Sequence, residues 1–204
     1  MARPVTGSSA TKSMFEHPVD ATPLSPEERR GLRLPITLRS QLNAAERNNV
    51  IAGRAWALRS RKAWWTDDFL CELHSRMFGD VWTWAGAYRT TEKNIGNVSA
   101  HMVAVEVRQT LDNAHYWLEH STYEAHELAV RLHHQLVWIH PFVNGNGRCT
   151  RLMADTVVHR LKASHFTWAR GELVETGPAR EAYIKALRAA DDHDIGPLLA
   201  FAKL

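Results

Sequence analysis

The chain has 204 residues, with 25 Lys and Arg against 22 Asp and Glu and a formal charge of +3 when its 12 His are neutral. That is enough for one domain with a substantial core, and the charge is too balanced for a basic tract of the kind that follows nucleic acid. An apolar share of 45% with 8 Trp excludes a disordered chain, and no run approaches the roughly 18 apolar residues of a membrane span.

In chain order, residues 1–24 are rich in Ser, Thr, Ala and Pro without periodicity and read as a flexible arm. The start MARPVTGSSATKSMFEHPVD has no apolar leader, and Cys71 with Cys149 makes no disulfide framework, so a soluble cytoplasmic protein is expected. Ser25-Pro26-Glu27-Glu28 predicts a capped short helix that Pro35 ends. Leu38, Leu42, Ala45, Asn49, Ala52 and Trp56 recur at helical spacing and predict a helix over 37–59. A second begins at Thr66, with Asp67 and Asp68 at its positive end, and stops at Gly79. Residues 80–103, DVWTWAGAYRTTEKNIGNVSAHMV, break the helical period and mix Gly and Asn with β-favouring residues, which predicts a short hairpin or flap. Helices resume over 105–120 and 123–139, the latter with a buried stripe of Leu128, Leu132, Leu136 and Ile139. Another runs over 148–161, and Gly177-Pro178 opens a last one to about Ala190.

Between two of these helices stands HPFVNGNGRCTR, residues 140–151. A plain turn needs one Gly or Asn, whereas here two Gly and two Asn precede a helix start. Helix N-termini present unsatisfied N–H groups, and glycines let an anion approach the backbone. Arg148 and Arg151, three apart, would face the same way and neutralise phosphate charge, and His140 has the chemistry of a general base. A solvated arginine pair and a capping His are the bland alternatives, and the company these residues keep weighs against them.

His140, Phe142, Gly145, Asn146, Gly147, Arg148 and Arg151 resemble the Fic signature H-x-F-x-[D/E]-G-N-G-R-x-x-R, with Asn144 as the departure. LHSRMFGDVWTWAGAYR, residues 73–89, is similar to the segment before the Fic flap, so the resemblance runs over about 40–200 and looks closest to the Fic/Doc subgroup called mobile mystery protein B. It implies an all-α fold with a short β-hairpin flap beside the active-site loop. Together with the composition, it divides the chain into the flexible arm at 1–24, N-terminal helices at 25–60 that carry a candidate inhibitory segment, and a Fic domain at 61–204.

The activity implied is transfer of AMP from ATP to a Ser, Thr or Tyr hydroxyl of a target protein. His140 would be the base. Gly145, Asn146, Gly147, Arg148 and Arg151 would hold the phosphates, and Phe142 would anchor the loop. The flap, through Thr90, Ile95 and Val103, would hold the target as an added strand. Asn144 stands where the family's acid binds Mg²⁺ or Mn²⁺, and a neutral amide is a weaker ligand for a hard cation. Doc-like phosphotransfer and nucleotide binding without catalysis stay open beside AMP transfer. LNAAERNN offers Glu46 as an inhibitory Glu paired with Arg151; a solvent-facing carboxylate near Arg39, Arg47 or Arg54 is the equal alternative. The resemblance further implies a toxin-like protein with a helix-turn-helix antitoxin-like partner and no membrane, and a homodimer is left open.

Two other classes weigh less. His133 and His134 point about 100° apart on a helix, so with His140 they make a poor metal site. WALRSRKAWW, residues 56–65, mixes basic and aromatic residues as a nucleic-acid module would, but reads better as a helix end whose aromatics pack inward.

Overall fold

A computed structural model describes residues 24–93, 95–170, 173 and 177–204. The expected arm lies outside them except for its last residue, Leu24, which is buried in the core. The first helix, α1 (Pro26–Arg29), forms where predicted: the Ser25 hydroxyl accepts from the Glu28 N–H at 3.2 Å and the Glu28 carboxylate accepts from the Ser25 N–H at 2.8 Å. A long α2 (Arg39–Arg59) follows, then α3 (Asp67–Phe78), capped by the Thr66 hydroxyl and stopped at Gly79.

The inward face of α2 differs from the predicted one. Leu42, Glu46, Gly53 and Ala57 are buried, whereas Leu38 and Ala52 are exposed. A buried carboxylate interrupts the apolar stripe, so a pattern of apolar residues alone selects a face rotated from the real one. Gly53 is required where α2 crosses α3, since a Cβ there would lie 2.7 Å from Met77 Cγ. Trp64 is buried while Arg59, Arg61 and Lys62 are exposed, as the packing reading of that stretch expects.

The described residues of 80–103 form no hairpin. They make antiparallel bridges outward instead, Trp82 to Leu32 and Tyr88 to Phe142, and end in a 3₁₀ turn at Ala100–Met102. The β-favouring residues here satisfy their backbone against the chain after α1 and against the 140–145 loop, which leaves no internal ladder. Val103 is the first residue of α4 (Val103–Glu119) and is buried in the core, so it is no part of a target-binding flap edge.

The centre of the domain is α5 (Ala125–Ile139) packed against α6 (Asn146–Arg160), with α4 against α5 and α2 and α3 against α6. Leu128, Leu132, Leu136, Met153 and Val157 fill the space between them. An α7 (Pro178–Asp191) and an unpredicted α8 (Gly196–Lys203) close the other side, with Leu198 and Phe201 of α8 buried. Among the described residues no helix is long and apolar enough to cross a membrane.

Candidate active site

The loop 140–145 is built from its own side chains and from α3. The Asn146 side chain accepts from the Phe142 N–H at 2.9 Å and donates to the Phe142 carbonyl at 2.8 Å, folding the loop onto the start of α6. The Phe142 ring is fully buried and stacks on His74 at 3.8 Å between centroids. His74 Nδ1 accepts from the Gly86 N–H at 2.9 Å, so its other nitrogen carries the proton and donates to the Asn144 carbonyl, also at 2.9 Å. Burial pushes the His74 pKa down to about 3, which keeps this link neutral. Gly145, at φ 77°, is the left-handed N-cap of α6, and a Cβ there would lie 2.6 Å from the Phe78 ring.

His140 follows the last residue of α5 with φ 55° and ψ 60°, a left-handed conformation that costs a non-glycine residue about 1–2 kcal/mol. Its N–H reaches the Leu136 carbonyl at 3.1 Å, and its carbonyl accepts from Arg89 Nε at 2.8 Å. Burial pushes its pKa down to about 4, and the Arg89 and Lys93 cations push the same way against the Val137 carbonyl. The imidazole is therefore neutral at physiological pH. Directly after the loop, the leading N–H groups of α6 have no intrahelical acceptor, as at any helix N-terminus.

The two arginines go to different neighbours. Arg148 donates to the Glu46 carboxylate at 2.6 Å and lies over the Phe78 ring at 4.7 Å. Glu46 is 8% exposed, and its other oxygen accepts from the Trp82 indole N–H at 2.8 Å. Arg151, one turn on, lies over the Tyr183 ring of α7 at 5.2 Å. The Tyr183 hydroxyl meets His133 Nε2 at 3.1 Å.

A Fic/DOC family model matches residues 64–158, which hold both the loop and the helix that stacks on it. These residues form a Fic/DOC family domain. The chain is 30% identical over 142 residues to the protein adenylyltransferase fic-1 of Caenorhabditis elegans, an alignment covering 66% of this chain and 26% of that protein. The chain thus spans about a quarter of the length of that curated relative. The solved structure of Fic-1 (aa134–508) from C. elegans superposes with a TM-score of 0.60 at 25% identity, covering 81% of this chain and 52% of that one. BepC of Bartonella tribocorum with bound AMPPNP shares the fold, with a TM-score of 0.65 at 15% identity over 88% of this chain and 97% of that one.

Within this Fic/DOC domain, His140, Phe142, Gly145, Gly147 and Arg148 come together around one loop. Two expectations are corrected. Glu46 pairs with Arg148 and not with Arg151, because α2 meets the loop on the Phe78 and Trp82 side while Arg151 faces α7; it is also buried, not solvent-facing. Asn146 uses both side-chain polar atoms on Phe142, so only its backbone remains for an anion. Thr90 is exposed and Ile95 half-buried. The Asn144 amide oxygen accepts from the Gly145 N–H at 2.5 Å, and the described residues hold no group of three His, Cys, Asp or Glu able to bind a metal. One neutral oxygen already engaged does not fit a resident ion. His133 and His134 serve Tyr183 and Asp191 instead of a metal.

Sequence reasoning missed His74, Trp82, Arg89 and Tyr183. For His74 a signal exists: it sits among Leu70, Leu73, Met77 and Phe78 on the buried face of α3, where an unpaired polar group would be costly. Nothing in the local pattern marks Arg89.

Proposed function

We propose that this domain transfers AMP from ATP to the hydroxyl of a Ser, Thr or Tyr side chain on a target protein, with His140 as general base. The observation that supports it is the pairing of a neutral, buried imidazole with a glycine-lined helix N-terminus, in a chain similar to named protein adenylyltransferases. A hydroxyl oxygen attacks the α-phosphorus, the bond to the bridging oxygen breaks, pyrophosphate leaves, and the hydroxyl proton passes to His140. In the neutral ring one nitrogen keeps its proton and the other offers the lone pair that takes up the incoming one. Triphosphate charge beside the ring raises its low pKa towards the operating pH, where a base is most effective.

The backbone N–H groups opening α6 and the Arg148 guanidinium carry the phosphate charge, so alignment and electrostatics supply most of the acceleration. Arg148 is held by Glu46, and the nucleotide must displace that carboxylate to use it. Glu46 is accordingly the gate of the site.

Asn144 favours a second reading, phosphoryl transfer of the Doc kind. ATP labelled at the α or the γ phosphate separates the two. Label from the α position, appearing on protein with wild type and lost by about 10³-fold in His140→Ala, is the expected result. Label from the γ position alone would overturn AMP transfer.

A further inference from the structure

We infer that Arg89 is a positioning residue of the active site, whose guanidinium holds His140 in its left-handed conformation and ties the Thr91 and Val98 carbonyls to the same anchor. The inference rests on the reading of His140 as the base. The Arg89 side chain is 1% exposed, and its donors all point to backbone carbonyls on two segments. Nε donates to His140 O at 2.8 Å and one terminal nitrogen to Ile139 O at 3.3 Å; the same nitrogen also donates to Val98 O, and the other to Thr91 O at 3.0 Å. Its own N–H donates to Pro141 O at 2.8 Å. Among the described residues the carboxylate paired with it, that of Glu92, is 3.7 Å away and largely exposed, so carbonyls rather than an ion pair hold the charge.

The physical need comes from the end of α5. The last carbonyls of a helix lack intrahelical partners, and a glycine usually occupies the left-handed position that follows. Here that position is His140. A cation at the negative end of the helix, donating to its last carbonyl and to that of His140, supplies what the glycine geometry would otherwise provide. The two terminal nitrogens of Arg89 also reach Thr91 O and Val98 O, which brings these two carbonyls onto the same side chain. Gly96 and Asn97, just before Val98, pack on the end of α5: Asn97 N–H donates to Trp138 O at 3.1 Å, and a Cβ on Gly96 would come within 2.7 Å of His140 Cβ. One planar group therefore sets both the backbone that aims the base and the carbonyl of Val98, next to the residues packed on that backbone.

A planar fork with five donors can serve four carbonyls at once, whereas an ammonium cannot span them, so Arg89→Lys should fail much as Arg89→Gln does. Both variants are compared with wild type by residue-resolved amide exchange, by NMR titration of the His140 ring, and by AMP transfer kinetics. Expected are exchange at Asn97 and His140 faster by at least ~10-fold, with Leu132 and Leu136 in the middle of α5 unchanged. The His140 midpoint should rise in Arg89→Gln, which removes one of the two cations facing it and leaves Lys93. The kcat should fall by about 10² while KM for ATP moves less than about threefold, since a misplaced base costs rate rather than binding.

Exchange that rises equally throughout α5 would show a general stabiliser of the fold and overturn the inference. So would full activity and wild-type exchange in Arg89→Lys. If wild type transfers no label, the function proposed above fails, while the exchange and titration measurements still decide whether Arg89 positions His140.

Discussion

At Asn144 a single atom separates the loop from one that offers a carboxylate. Its carbonyl is fixed by His74 and its side-chain oxygen turns back onto the Gly145 N–H, so the backbone is already shaped for a ligand that the side chain is too weak to be. Replacing Asn144 by Asp keeps the acceptor for Gly145 and adds charge. We expect Mn²⁺ affinity in the presence of AMPPNP to rise about 10-fold in Asn144→Asp, measured by calorimetry. An unchanged affinity would mean that the side chain stays folded onto Gly145 and never reaches the ion. The residues of this loop were largely legible in the sequence because their spacing fixes a local geometry: helix end, left-handed turn, helix start. What Asn146 and the arginines touch was not legible. A motif places side chains relative to each other, but whether Phe78, Glu46 or Tyr183 arrives to meet them depends on helices about 30 to 100 residues away in sequence.

At the scale of elements, α2 delivers Glu46 to Arg148, and Trp82 from the segment after α3 clamps it there. If the proposed gate holds, the same contacts stabilise the fold and obstruct the site, which sets up a test with opposite signs. Glu46→Gly frees Arg148 and should raise auto-modification by about tenfold, while leaving Trp82 and Arg148 donors unmatched at a cost of about 1–3 kcal/mol. Trp82→Phe keeps the ring and drops one donor, and should shift both quantities in the same directions by less. Radiolabel incorporation and thermal melts on the same preparations decide it. Activity that falls together with stability would remove Glu46 from its role as gate. The same contact explains why the α2 face was misread from the sequence. A hydrophobic pattern counts apolar residues, and here the inward position is a carboxylate whose partners lie on two other elements. The expected hairpin is not formed by the described residues for a related reason: Trp82 and Tyr88 pair with Leu32 and Phe142 and not with each other.

For the whole molecule, the three histidines buried as neutral rings among the described residues make the fold sensitive to acid. The pKa values of His74 and His140 are lowered by burial to about 3 and about 4, and that of His133 is lowered well below 6.5. In the unfolded chain each returns to about 6.5, so between that value and the folded one the unfolded state binds more protons. Stability is then fully present above pH 6.5 and lost progressively as the pH falls towards 4. Glu28 extends the loss: burial raises its pKa, but Lys93, the Ser25 N–H and Thr91 outweigh that and hold it below 4.5, so its contribution goes as the pH falls through the lowered value. Asp155 opposes the trend, because burial raises its pKa and the folded state takes up the proton first. One carboxyl against three imidazoles leaves the balance with acid destabilisation. Thermal melts from pH 8 to pH 4 should show a plateau down to about 6.5 and then a steady fall. His74→Gln should flatten that fall, because the amide can accept from Gly86 and donate to Asn144 without a proton to gain. A melting temperature that stays level from pH 7 to pH 5 would mean that these rings are solvated enough to titrate normally, and the neutral His140 on which the proposed base depends would go with it.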